Sequence, residues 1–312
     1  MAREVFVPKR FNEGSKKLIA HAIMIIEDFR GQGYVLTLRQ LYYQFVAKGL
    51  IENSIQSYKK LGSVISDARL AGLIDWNSIE DRTRVLKSPP SWKDPSAIIQ
   101  TAAKQYNIDM WENQPFYVEV WVEKDALISV VERACAKYDV PFYACKGYSS
   151  QSSTYHAGKR LLEAHLRGKD ILVIHLGDHD PSGMDMTRDN FERLSMFAGF
   201  SIHVDRIALN MDQVLEYSPP PAPAKVKDLR YEGYVKNYGD ECWELDALHP
   251  SIINTMITER LDDIVDAEAW KKDDERRTEE RKNLEACYKL WPKLDVALTK
   301  IRNIPNLEGK LP

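Results

Sequence analysis

Two groups of acidic residues stand where a strongly apolar run gives way to a loop. The first is Glu123-Lys124, directly after Phe116 to Val122. The second is Asp178-His179-Asp180, directly after Ile171 to Gly177 and followed by Pro181-Ser182-Gly183. Asp178 and Asp180 are two apart, so an extended chain points their side chains to the same side. Glu123, from a neighbouring strand, completes a trio. Three gathered carboxylates repel one another unless a cation neutralises them, and hard oxygen donors favour Mg2+, with Mn2+ as a substitute. Mg2+ held by a few carboxylates keeps positions open for water or phosphate, as phosphoryl-transfer sites do. A bare Asp-x-Asp is also what a polar turn produces on leaving a buried strand. His179, between the two acids, is expected to point the other way. Lys124 is expected either to hold a phosphate or to stand solvated beside the acids.

A second constellation lies in Thr37-Leu38-Arg39-Gln40-Leu41-Tyr42-Tyr43. Arg39 and Tyr43 are four apart, so on a helix the guanidinium and the phenol share a face. A tyrosine beside an arginine can attack a DNA phosphodiester and store the bond as a phosphotyrosine link. Aromatic residues at helical spacing also pack into cores, and that alternative stays open for both tyrosines.

The elements that must position these residues follow from periodicity. Residues 13–31 predict an amphipathic helix, Thr37 an N-cap for a helix from Leu38 to Lys48, and 54–71 a third helix ending at Gly72. A short strand or turn, Leu73 to Trp76, follows. Three helices and a small β element suggest a winged helix-turn-helix, although a plain helical bundle has the same periodicity. Beyond Pro89, Pro90 and Pro95 the rhythm changes to strand, helix, strand, helix. Phe116 to Val122, Pro141 to Cys145, Ile171 to Gly177 and Ile202 to Leu209 predict strands of a parallel sheet with helices on both faces. Pro219, Pro220, Pro221 and Pro223 predict an extended surface linker. Residues 250–303 predict charged helices, with Lys271 to Arg277 a solvated stretch. Glu244 and Asp246 could approach the acids, although helix-capping or surface roles are the expectation for them.

Composition narrows the class. A chain of 312 residues with 44% hydrophobic and 29% charged residues can fill two cores and is not a disordered chain. No run reaches the roughly 20 apolar residues of a membrane span, and MAREVFVPKRFNEGSKK lacks a signal-peptide core. Four scattered cysteines without a CxxC pair suggest neither a zinc knuckle nor a disulfide framework, so a reducing cytoplasm is expected. Residues 1–110 carry 16 Lys/Arg against 11 Asp/Glu, and the remainder 27 against 35. A basic first part and an acidic remainder are compatible with DNA contact at one end and a metal at the other.

These residues resemble two related arrangements. A Glu after a first strand, then Asp-x-Asp before a glycine-opened helix, resembles the Toprim fold of topoisomerases, primases and certain nucleases. That resemblance implies metal on Glu123, Asp178 and Asp180. An Arg-x-x-(aromatic)-Tyr motif ahead of a Toprim domain resembles the topoisomerase VI A subunit and its meiotic double-strand-break relatives, and the chain looks closest to the compact "Mini-A" proteins of phages and plasmids. Lys146-Gly147-Tyr148 and Trp243-Glu244-Leu245-Asp246-Ala247-Leu248 resemble two further motifs of that family.

The resemblance, covering about residues 13–260, implies an α/β protein with four parts. These are a winged-helix domain over 1–88, a connector over 89–112, a Toprim domain over 113–215, and a C-terminal extension over 216–312. It implies Tyr43 as nucleophile, Arg39 as its supporting arginine, and Lys124 and Lys146 on DNA phosphates. It implies double-stranded DNA as substrate and a homodimer in which each tyrosine meets the partner's acids. No P-loop is present in the sequence, so any ATPase would be a separate B-type subunit. The setting implied is a prokaryotic or phage-directed cytoplasm, with association to the nucleoid when DNA is bound. Hydrolysis of DNA by a metal-activated water, with Tyr43 structural, and a non-catalytic DNA-binding role remain as alternatives.

Overall fold

A computed structural model describes residues 4–80, 89–145 and 147–302. The chain divides into two compact units, Met1–Arg84 with Pro115–Ile264, and Val85–Gln114 with Val265–Pro312. The first unit begins with the predicted helices. Helix α1 (Glu13–Gly31) is capped by Asn12, whose side chain accepts from the Ser15 amide. Strand β1 (Leu36–Thr37) leads straight into α2 (Leu38–Ala47). The Thr37 hydroxyl accepts from the Gln40 amide, and the Gln40 side chain accepts from the Thr37 amide, a reciprocal cap that starts the helix one residue later. Helix α3 (Ile55–Leu70) is capped by Ser54 and ends before Gly72, where φ is +71°. Ile19, Ala22, Ile26 and Phe29 of α1 join Leu41 and Phe45 of α2 and Leu61, Ile65 and Ala68 of α3 in one core.

Strand β2 (Ile79–Glu80) pairs with β1 in parallel. Among the described residues this region therefore holds three helices and a two-residue parallel pair, without an antiparallel wing. Two strands separated by helices can run the same way, whereas a wing needs a hairpin. Within the stretch expected to be a connector, Pro95–Gln105 forms helix α4. Asp94 caps it and Pro95 opens it, because proline fits the first helical turn where its missing N–H costs nothing.

The expected parallel sheet forms from β3 (Phe116–Val122), β4 (Phe142–Ala144), β5 (Asp170–Leu176) and β6 (His203–Ala208), in the order β4-β3-β5-β6. Helices α5 (Ile128–Lys137), α6 (Gln151–Leu166) and α7 (Pro181–Ala198) make the crossovers. Trp121, Ile171 and Val173 share a core with Leu161 of α6 and Leu194 of α7. The alternate residues Val120, Val122, Leu172, Ile174 and Leu176 are buried as well, so both faces of the sheet are covered.

After β6 come α8 (Met211–Tyr217), β7 (Ala222–Pro223), α9 (Tyr231–Tyr238), β8 (Glu241–Cys242) and α10 (Pro250–Asp262). The proline-rich stretch is docked and does not run free over the surface. β7 pairs antiparallel with β8, and the Pro221 carbonyl accepts from the Asn53 side chain at 2.8 Å. Prolines are tolerated here because a two-residue edge pair needs few amides.

In the second unit, α4 packs along α11 (Ala267–Arg302). Gln114 exchanges hydrogen bonds with both backbone groups of Asp266, and the Asn113 amide donates to the buried Asp273. The start of the charged helix is thus anchored, while its later turns carry the exposed Leu290, Leu294 and Leu298. No helix among the described residues is long and apolar enough to cross a membrane.

Candidate active site

The parallel ladder itself delivers the first acids. The Glu123 amide donates to the Leu176 carbonyl, extending the β3–β5 pairing one residue past the strands. Glu123 Oε2 then accepts from the Asp178 amide at 2.8 Å, tying the two strand ends together. Asp180 caps α7, its Oδ1 accepting from the Gly183 amide at 2.6 Å. Gly183 has no substitute: a Cβ there would lie 2.3 Å from the Asp178 carbonyl oxygen. The glycine lets α7 start directly against the strand-end loop.

Asp178 has a second set of partners that lie far away in sequence. Its Oδ1 accepts from the Leu245 amide at 2.8 Å, and its Oδ2 lies 2.9 Å from Lys124 Nζ. The Lys124 ammonium also donates to Glu244 Oε2 at 2.8 Å and Asp246 Oδ1 at 2.9 Å. It thus bridges three carboxylates. Burial alone would push this ammonium down; Asp178, Asp246 and Glu244 outweigh it and hold the pKa well above the usual lysine value. Burial pushes Asp178 up to about 8, against the pull of Lys124, and it raises Asp246 too. Burial also opposes ionisation of Glu244, but Lys124, Arg39 and Tyr43 prevail and hold it at about 2.

The segment carrying Glu244 and Asp246 is held by His179. His179 and Trp243 exchange both backbone hydrogen bonds at 2.9 Å. Its ring sits among Tyr234, Tyr238 and Trp243, with Nδ1 2.7 Å from the Tyr234 hydroxyl. Glu244 and Asp246, expected on the surface, belong to the site. Asp246 is 1% exposed, and the His179–Trp243 bridge is the reason.

Arg39 and Tyr43 meet the same network. Arg39 forms an ion pair with Glu244, and its Nε lies 3.1 Å from Asp246 Oδ2 without the alignment of a hydrogen bond. Its guanidinium is 5.8 Å from the centre of the Tyr43 ring, so the two share a helix face as their spacing predicted. The Tyr43 phenol faces the charge of Glu244 in its own chain. Burial raises its pKa well above that of a free phenol, and Glu244 and Asp246 raise it further. Arg39, Tyr42, Tyr43, Tyr58, Asn53 and Glu244 line a cavity of about 390 Å3.

Arg206 of β6, which drew no attention in the sequence, closes the far side. It donates to the carbonyls of Gly177, Asp178, Gly183 and Leu209, and its charge faces Glu123, Asp178 and Asp180. An arginine inside a strand beside an acid-bearing loop was the available signal. Lys146 lies outside the described residues.

The arrangement can be tested for a cation by its charge and donors. Among the described residues five carboxylates, Glu123, Asp178, Asp180, Glu244 and Asp246, share three cations, Arg39, Lys124 and Arg206. Fully ionised, the cluster keeps two negative charges in excess, which is what a divalent cation supplies. The donors are all hard oxygens, and Lys124 stands where a positive charge is needed. Among the described residues no three Asp, Glu, His or Cys side chains form a ready-made ion cage. Glu123 and Asp180 each spend an oxygen on a backbone amide, and Asp178 is occupied by Lys124 and Leu245. The donor chemistry fits a hard divalent ion, and Lys124 is the group such an ion would displace beside Asp178. No known family model matches the chain, and no curated protein is detectably similar to it in sequence.

Proposed function

We propose that this chain cleaves DNA by tyrosine transesterification, in the manner of a type IIB topoisomerase A subunit. In this reading α1 to α3 form a helical DNA-binding module and the β3–β6 sheet is a Toprim domain. The observation that carries the proposal is the continuous chain of ion pairs from Arg39, which lies beside Tyr43, through Glu244 and Lys124 to Asp178. Ionisable groups perturbed by burial and by specific charged partners cluster at functional sites.

In the reaction a bond forms between Tyr43 Oη and phosphorus while the bond from phosphorus to a deoxyribose oxygen breaks. The phenolic proton passes to Glu244, which lines the same cavity, and the departing oxygen takes a proton from water. The phosphodiester count is conserved, so resealing needs no external energy. Arg39, 47% exposed, can turn toward the phosphate while staying beside Tyr43. As it and Lys124 engage phosphate oxygens, Glu244 loses the cations that keep it a weak base. Mg2+, or Mn2+ in its place, would be held by Glu123, Asp178 and Asp180 and would supply Lewis-acid stabilisation of charge on the phosphate.

The substrate proposed is double-stranded DNA, met by a homodimer in a prokaryotic or phage-directed cytoplasm, with any ATPase a separate chain. The family resemblance implies that each tyrosine works on its partner's acids, whereas the Arg39–Glu244 ion pair beside Tyr43 supports assembly within one chain. Mixing Tyr43→Phe with Asp178→Ala subunits separates the two. Sites completed between subunits recover single-strand nicks, and sites completed within a chain recover none.

A second reading, hydrolysis by a Toprim nuclease, is favoured by the 6% exposure of Tyr43. Stopping a Mg2+ reaction on supercoiled and end-labelled DNA with detergent decides between them. A protein–DNA adduct that vanishes in Tyr43→Phe is the expected result. Cleavage that survives Tyr43→Phe but not Asp178→Ala overturns transesterification and leaves hydrolysis.

A further inference from the structure

The cavity beside Tyr43 is larger than a phosphate needs, and three tyrosines stand among its lining residues. Tyr42 meets Tyr43 edge to face at 5.2 Å between ring centres, and Tyr58 meets Tyr42 in the same way at 5.3 Å. These rings are held rigidly. The Tyr42 hydroxyl donates to Asn53 Oδ1 at 2.9 Å and Ser54 O at 3.2 Å, and the Asn53 amide is in turn fixed on the Pro221 carbonyl. Ala222 and Pro223 of β7 line the cavity as well. Ile55 lines the cavity yet is 75% exposed, which puts it at the mouth.

Charge is confined to one end, where Arg39 and Glu244 meet Tyr43. A ligand that fits has a flat, weakly polar body, and a phosphate at one edge of it would compete with Glu244 for Arg39. The volume, about 390 Å3, falls in the range of roughly 300–1,000 Å3 usual for ligand sites. A nucleotide has this shape and charge, and aromatic rings bind unstacked bases of any sequence. A base still in its duplex cannot enter, so one supplied by DNA must leave the stack.

We infer that this cavity receives an unstacked nucleobase, placing the adjoining phosphate at Arg39 and Tyr43. The inference rests on the DNA-cleaving reading for its preferred source of the base, the strand being cut. A free nucleotide has the same chemistry and is the other source.

The test uses the full-length protein and DNA carrying 5-iododeoxyuridine in a single-stranded gap, irradiated and mapped by mass spectrometry. The expected result is crosslinking to Tyr58 or Tyr42 that excess AMP does not suppress. Tyr58→Ala should weaken binding of gapped DNA roughly 5- to 150-fold, the range for loss of one base–aromatic stack. Tyr58→Phe should retain it. Ile55→Trp, a change at an exposed position, should block the mouth and suppress the crosslink even if Tyr58→Ala folds poorly. Labelling of the same tyrosines by 8-azido-AMP, undiminished by DNA, would support the site but make its ligand a free nucleotide. A folded protein in which neither probe labels the cavity overturns the inference. Scoring the detergent-stable Tyr43 adduct in the same samples keeps the two readings apart. An adduct without cavity crosslinks leaves transesterification standing, and cavity crosslinks without an adduct leave the base site standing.

Discussion

Strand β3 holds Glu119 and is followed directly by Glu123, and these two glutamates, four residues apart, live in opposite circumstances. Glu119, 3% exposed, has all its needs met. Its Oε1 accepts from Tyr117 Oη and Arg160 Nε, and its Oε2 from Trp121 Nε1 and Arg160 Nη2, at 2.8–3.0 Å. One carboxylate faces one guanidinium and two neutral donors. Glu123 instead enters, among the described residues, a cluster of five carboxylates and three cations, in which acids are clamped by amides and by a shared lysine. Burial therefore does not separate a functional acid from a structural one. Charge balance does: a balanced pair is finished, and an unbalanced cluster has room for a ligand.

The largest expected contrast is in activity. Asp178→Asn should preserve the bond from Leu245 N, relieve repulsion, and leave stability within about 1 kcal/mol of wild type. Adduct formation should nevertheless fall by roughly 100-fold or more, as for loss of a central electrostatic group. Glu119→Gln should leave the activity of the folded fraction unchanged. Equal losses of activity per folded molecule in the two variants would break the contrast.

Next in size is the response to cations. Lys124→Ala leaves Asp178, Glu244 and Asp246 without their shared ammonium, and should cost about 3–5 kcal/mol in chelator at pH 8. Mn2+ at 100 times its dissociation constant should restore about 2.7 kcal/mol, read as a rise in melting temperature. A variant whose melting is indifferent to Mn2+ would show that the excess charge is not met by a divalent ion.

Glu119→Gln gives the smaller stability effect. Its partner Arg160 is about half exposed and can turn to water, so the cost should be about 1–3 kcal/mol by urea denaturation. An unchanged midpoint would mean that the fourfold saturation of Glu119 adds nothing to the fold.

The parts of this site that were legible in the sequence are the local ones. The apolar run before Glu123 matches β3 from end to end, and Thr37 caps α2 because its partner Gln40 lies three residues on. Arg39 and Tyr43 share a face through helical spacing. Glu244 and Asp246 were misplaced, since what brings them in is a strand-like bridge between His179 and Trp243 and one amide of Leu245. Contacts across that sequence distance leave no periodicity behind. The same holds for the prolines at 219–223, whose composition suggests an open linker. Pairing with β8 and a single bond from Asn53 decide otherwise.

The smallest effect concerns His175, on the Glu119 face of the sheet. It is fully buried, with Nδ1 2.9 Å from the Thr187 hydroxyl and Nε2 without a partner. Burial, and then the charge of Arg206, push its pKa down to about 3. The native state keeps the ring neutral while the unfolded chain takes up a proton below about pH 6.5. Its contribution is therefore complete above pH 6.5 and declines as the pH falls toward 3, by about 1.4 kcal/mol per pH unit. Asp178, pushed up to about 8, gives a slope of the opposite sign, so the wild-type profile alone is mixed. The difference between wild type and His175→Gln isolates the histidine. Urea midpoints for the two proteins at pH 7.5, 6.5 and 5.5 should converge as the pH falls, on the order of one proton's worth of slope. Parallel profiles would mean that His175 takes up its proton as readily in the folded protein as in the unfolded chain.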